Sequence, residues 1–104
     1  MSYKMVAIYK VPQDKASFDK HYEEVHTPIT LKIPHMKEFR VSKVFGSPMG
    51  ESELYLQAEM VFASKEDFEA GVKSPESMAS GKDAFGFAGK LVSVHFMQEQ
   101  VTNL

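Results

Sequence analysis

Apolar and polar residues alternate with a period of two in four stretches of this chain and recur at helical spacing between them. Residues 4–11 (KMVAIYKV) put Met5, Ala7, Tyr9 and Val11 on one side and Val6 and Ile8 on the other. Such a strand is apolar on both faces, and Pro12 stops it. Residues 36–45 predict a second strand and residues 54–63 a third. In the third, Leu54, Leu56, Ala58, Met60 and Phe62 form an unbroken apolar face, opposite a mixed face of Tyr55, Gln57, Glu59 and Val61. Residues 91–97 predict the last strand, with Val92, Val94 and Phe96 on one side and Leu91, Ser93, His95 and Met97 on the other.

After the first strand, Asp14 is a candidate N-cap, and Phe18, Tyr22, Val25 and Ile29 recur as a helical stripe. Pro28 falls inside that stripe. It has no N–H to give and disfavours helical geometry at Thr27, which predicts a kink or break near His26–Pro28. Ser64-Lys65-Glu66-Asp67 reads as a capping box, and Ser74-Pro75-Glu76 as a second helix start with proline in the first turn. From Gly81 to Gly89, three glycines with Phe85 and Phe87 predict a packed irregular segment.

The order strand, helix, strand, strand, helical segment, strand is that of the split βαβ, or ferredoxin-like, α+β fold: a four-stranded antiparallel sheet with helices on one face. Two helical segments cover one face only. Tyr55, Val61, Leu91 and Met97 make the other face too apolar to leave wet, which predicts a homodimer whose sheets enclose a barrel. The whole chain, residues 1–104, is expected to form this one domain.

Composition then narrows the classes. Hydrophobic residues make up 43% and charged residues 25%, as in globular domains. The formal charge is −2 and no Lys/Arg run exists, so nucleic acid is not an expected partner. No cysteine is present, which removes disulfides, thiolate metal sites, Cys nucleophiles and iron–sulfur clusters. The apolar run after Met1-Ser2-Tyr3-Lys4 is too short to span a membrane, and no small-residue cleavage site follows it. A cytoplasmic protein without a membrane partner is the expectation.

His21 and His26 are the sharpest chemical candidates, because imidazole moves protons near neutral pH. At about 100° per residue, five positions turn about 140° round an α-helix, so the two should point apart. Metal-binding pairs use i, i+4 spacing, and no metal site is predicted, although a kink at Pro28 could bring the two histidines closer. Tyr22 lies within the stripe, flanked by His21 and His26, with Phe18 one turn earlier. His26 is read as a general base or ligand-binding group at a cavity between helix and sheet, with Tyr22 positioning the substrate. The structural alternative has His26 satisfying backbone groups freed by Pro28. On the mixed sheet face, Arg40, Tyr55, Gln57, Glu59 and His95 form a second polar set, read chiefly as ion pairs such as Arg40 with Glu59. His35 is expected to be a solvated turn residue. Seven methionines and eight phenylalanines offer adaptable apolar walls, Met60 and Phe85 among them. The glycines fit no dinucleotide or phosphate-loop pattern, so a nicotinamide or flavin reductase has no motif.

The segment Phe18-Asp19-Lys20-His21-Tyr22-Glu23-Glu24-Val25-His26-Thr27-Pro28 resembles the F-x-x-H-Y-x-x-x-H-x-P signature of the EthD family, named for ethyl tert-butyl ether degradation. The similarity extends through Lys32-Ile33-Pro34, the strand near Met36 and the Ser74-Pro75-Glu76 region. It implies the dimeric α+β barrel and a small hydrophobic or aromatic ligand handled without a cofactor. Cyclisation, isomerisation or decarboxylation with His26 as base is one implication. A non-catalytic accessory to an oxygenase-linked degradation system is another, and haem binding through a histidine, as in some related barrels, is a third.

Overall fold

The computed structural model describes all residues, 1–104. Strands β1 (Ser2–Lys10), β2 (Glu38–Lys43), β3 (Leu54–Phe62) and β4 (Val92–Glu99) form one antiparallel sheet in the order β2-β3-β1-β4. Helices α1 (Lys15–His21), α2 (Thr27–Thr30), α3 (Lys65–Val72) and α4 (Pro75–Ala88) complete the ferredoxin-like order. The molecule is a slab of 38 × 37 × 20 Å, which is two layers thick.

Register explains the layering. Tyr9 pairs with Leu56 and Val92, Ala7 with Ala58 and Val94, and Met5 with Met60 and Phe96. Side chains at paired positions share a face, so these rows form the floor on which the helices sit. Tyr9, Leu56, Ala58, Met60 and Phe62 are buried there with Phe18 and Tyr22 from the helix layer. Three helix starts follow the predicted caps. Asp14 Oδ1 accepts from the Ser17 N–H at 3.0 Å, Ser64 Oγ from the Asp67 N–H at 3.1 Å, and Ser74 Oγ from the Ser77 N–H at 3.1 Å.

Four expectations change. Pro28 does not break the first helix: α1 passes through a π-helical turn, Tyr22–His26, straight into α2, where Pro28 sits in the first turn. In the wide turn the Thr27 N–H donates to the Tyr22 carbonyl, and Pro28 falls in the first turn of α2, where a missing N–H costs little. Gly81 to Gly89 is not irregular, since α4 runs unbroken for 14 residues to Ala88. Its small buried face of Ser77, Ser80, Ala84 and Ala88 lies against the rest of the molecule, while Gly81 and Gly86 face open space. Packing outweighs the glycine penalty of about 1 kcal/mol each.

The open sheet face also differs. A register shift beside Tyr9 and Lys10 falls opposite Tyr55, whose ring meets Phe18 at 5.5 Å on the helix side instead of lying with the mixed face. Val61 is 1% exposed within the single chain and Leu91 precedes the strand, packed against the core. The face is therefore more polar than predicted. Its ion pairs are regrouped as well: Glu59 pairs with Lys4, and Arg40 with Glu38 at 3.1 Å and Glu99 at 3.8 Å. Lys4 lies two strands closer to Glu99 than Arg40 does and binds both Glu59 and Glu99, which leaves Arg40 chiefly to its own-strand neighbour Glu38.

Candidate functional site

The π-helical turn decides where the two histidines point. Within it the Thr27 N–H donates to the Tyr22 carbonyl, five residues back. Residues five apart then come nearly into line, as residues four apart do in an α-helix. His21 and His26, expected on divergent sides, meet the same carboxylate. His26 Nδ1 lies 2.9 Å from Asp83 Oδ2, and His21 Nε2 lies 3.1 Å from both Asp83 oxygens.

Asp83 arrives from α4, whose Ser80, Asp83 and Phe87 share one side at spacings of three and four. The carboxylate only accepts, which assigns the proton of His26 to Nδ1. His26 Nε2 then accepts from the Thr30 hydroxyl at 3.3 Å, and Thr30 accepts from Ser80 at 2.7 Å. Thr30, His26 and Ser80 are buried. Burial holds His26 below the ordinary imidazole range, against the opposing pull of Asp83, so it rests neutral in this chain of bonds.

His21 is placed differently. A third of its side chain is exposed, its ring packs on Phe87 at 4.4 Å, and its Nδ1 makes no hydrogen bond. It opens into a groove of about 450 Å³ lined with Ala79, Lys82, Asp83, Gly86 and Phe87. Both imidazoles point at the carboxylate itself instead of at a shared point in space, and no group of acidic and histidine side chains is arranged to hold a metal ion. Chemically, the arrangement joins two proton-carrying imidazoles through one carboxylate.

Tyr22 stacks on Phe18 at 5.9 Å, meets Tyr9 edge-on at 5.7 Å and lies 5.2 Å from the His26 ring. The hydroxyls of Tyr9 and Tyr22 are buried and have no hydrogen-bond partner in the protein. Burial raises both phenols well above their usual range, so each stays a donor.

Of the residues singled out in the sequence, Phe18, His21, Tyr22 and His26 are thus gathered in one place. Met60 lies in the core beneath them. Phe85 is half exposed on the outer side of α4, and its neighbour Phe87 faces the histidines instead. Arg40 and His95 stand on the open sheet face, where His95 bonds only Ser93 at 3.0 Å, and Tyr55 donates to Asp19 at 2.8 Å. His35 is exposed, at a backbone φ of 66°. Thr30, Ser80 and Asp83 were not anticipated. Their signal was the Ser80–Asp83–Phe87 spacing, obscured by the glycines around it.

A family model described as the EthD domain matches residues 10–90. An uncharacterised 11.0 kDa protein from the thcB-thcC intergenic region of Rhodococcus erythropolis is 31% identical over 98 residues, covering 94% of this chain and 95% of its own. A crystal structure of an ethyl tert-butyl ether degradation (EthD) family protein from Bacillus halodurans is 43% identical, with a TM-score of 0.92 over 96% of this chain and all of that one. Hydroxynitrile lyase from Passiflora edulis shares the fold at 19% identity, with a TM-score of 0.71 over 99% of this chain and 97% of its own.

Proposed function

The chain belongs to the EthD family, and from that footing we propose that it is a homodimer that binds a small hydrophobic or aromatic compound and moves a proton on it without a cofactor. The observation that carries this reading is the single carboxylate of Asp83 shared by two imidazoles. His21 is the group that meets the substrate, since it lines the groove with its Nδ1 unbonded while both nitrogens of the buried His26 are engaged. When Nδ1 takes a proton from carbon, the imidazolium is stabilised by Asp83 at its other nitrogen. Returning that proton to a second carbon gives an isomerisation, with no change of oxidation state. Phe87 offers the ring a flat apolar wall, and Lys82 at the rim matches charge developing on a carbonyl oxygen. His26, fixed by Thr30 and Ser80, positions Asp83.

The dimer is supported by the sheet face that no helix covers. Native mass spectrometry of the protein taken from cells should report twice the 11.7 kDa chain mass together with any retained compound. That compound should then exchange carbon-bound hydrogen with heavy water on the wild type and at least about a hundredfold more slowly on His21→Gln. A monomer mass, or full exchange by the variant, overturns the reading.

The openness of the groove favours a second reading, a binding module that hands its ligand to an oxygenase. It predicts a retained compound, no exchange, and equal affinity in wild type and His21→Gln.

A further inference from the structure

Helix α4 carries two glycines, Gly81 and Gly86, that the fold does not require. Neither has a positive φ, and a Cβ added at either would meet no atom within 4 Å. Gly71 in α3 is the contrast: there a Cβ would run into the Phe62 ring and the Pro34 carbonyl oxygen. Alanine would fit at 81 and at 86 and would strengthen the helix, because glycine loses more conformational entropy on becoming helical.

The two glycines differ in one respect. Gly86 lines the groove beside His21, and Gly81 does not. A row of rings leads up to that groove. Phe18 meets Phe87 at 5.4 Å and Phe87 meets His21 at 4.4 Å, and His21, a third exposed, is the outermost of the three. A further ring extends such a row in offset or edge-on packing at about 4.5–7 Å. Gly86, next to Phe87 in the chain, is where the helix leaves that space free. The groove, at about 450 Å³, is of ordinary size for a small-molecule site, about 300–1,000 Å³. We infer that Gly86 is the specificity-determining position of the groove, its missing side chain making room for the aromatic ring of the substrate beside His21. This role rests on the groove's being the substrate site and is independent of the proton transfer assigned to His21.

The probe is para-fluoroacetophenone, which offers a ring to the row and a methyl group beside a carbonyl to the imidazole. Fluorine NMR titration of the full-length protein reads binding, and heavy-water exchange into the methyl group reads proton transfer. The wild type should saturate. Gly86→Leu should weaken binding at least about tenfold and Gly86→Ala by less, whereas Gly81→Leu should bind as the wild type does. Gly81→Ala and Gly86→Ala should each raise the midpoint of thermal unfolding by about a few degrees, so that lost affinity at 86 is not lost fold. Equal affinity in Gly86→Leu and Gly81→Leu, a lowered midpoint in Gly86→Ala, or failure of the wild type to saturate overturns the inference. Absent exchange with the affinity series intact supports the role of Gly86 and removes the proton-transfer reading alone.

Discussion

The helix layer and the open sheet face each carry a polar network, and the two follow opposite plans. On the sheet, Lys4 bridges Glu59 and Glu99 while Arg40 bridges Glu38 and Glu99, so charges of both signs alternate and each base has a second acid. Between the helices, two imidazoles share one carboxylate, and the chain ends in the hydroxyls of Thr30 and Ser80. Redundant opposite charges tolerate loss and suit a surface that meets another surface. A single acceptor serving two bases tolerates none, because its loss leaves both imidazoles without their shared partner.

The largest expected effect is therefore Asp83→Ala, which strands both imidazoles. Urea denaturation should show a loss of about 2 kcal/mol, and the proposed hydrogen exchange should disappear. Glu59→Gln on the sheet should cost less than half as much, because Lys4 keeps Glu99 at 3.2 Å. Equal losses would erase the contrast. Thr30→Val comes next, at about 1 kcal/mol, by leaving His26 Nε2 and Ser80 without a partner; a neutral result would remove the hydroxyls from the network.

Titration separates the networks by sign. His26 is depressed below 6.5 by burial, so the folded state resists a proton that the unfolded chain accepts. Its contribution is complete above pH 6.5 and is lost as pH falls through the depressed folded value. Lys4 is raised above 10.5, chiefly by its bond to Glu59, so its contribution is complete below pH 10.5 and is lost as pH rises through the raised value. Chemical denaturation across pH should show an acid shoulder that His26→Gln removes and Lys4→Met leaves in place. The smallest effect is salt: the exposed sheet network should weaken measurably at high ionic strength, and the more buried helix network should respond less.

Element order, strand faces and caps were legible because alternation and capping are local. Tyr9 and Leu56 lie on the floor where the period-two pattern puts them, and Asp14, Ser64 and Ser74 cap the helices they precede. The contents of the helix-layer site were half legible. His21, Tyr22 and His26 stood out by residue type and by resemblance, but their convergence depends on a turn wider than the α-helix that periodicity assumes. Asp83 stayed hidden for a related reason: glycines at 81 and 86 lowered the helical signal of a segment held together by packing. The reassignment of Tyr55 and of the Arg40 and Glu59 partners was out of reach, since a register shift and a competing lysine are set by neighbours on other strands.

The wide turn at Tyr22–His26 holds one residue of slack. Deleting the exposed Glu24 would let an ordinary α-helix run through while His21 and His26, now four apart, still face Asp83, and Thr30 still meets Ser80. The same deletion removes the bulge that sits beside Tyr22. A one-codon excision would thus straighten the helix while leaving the carboxylate shared by His21 and His26 in place.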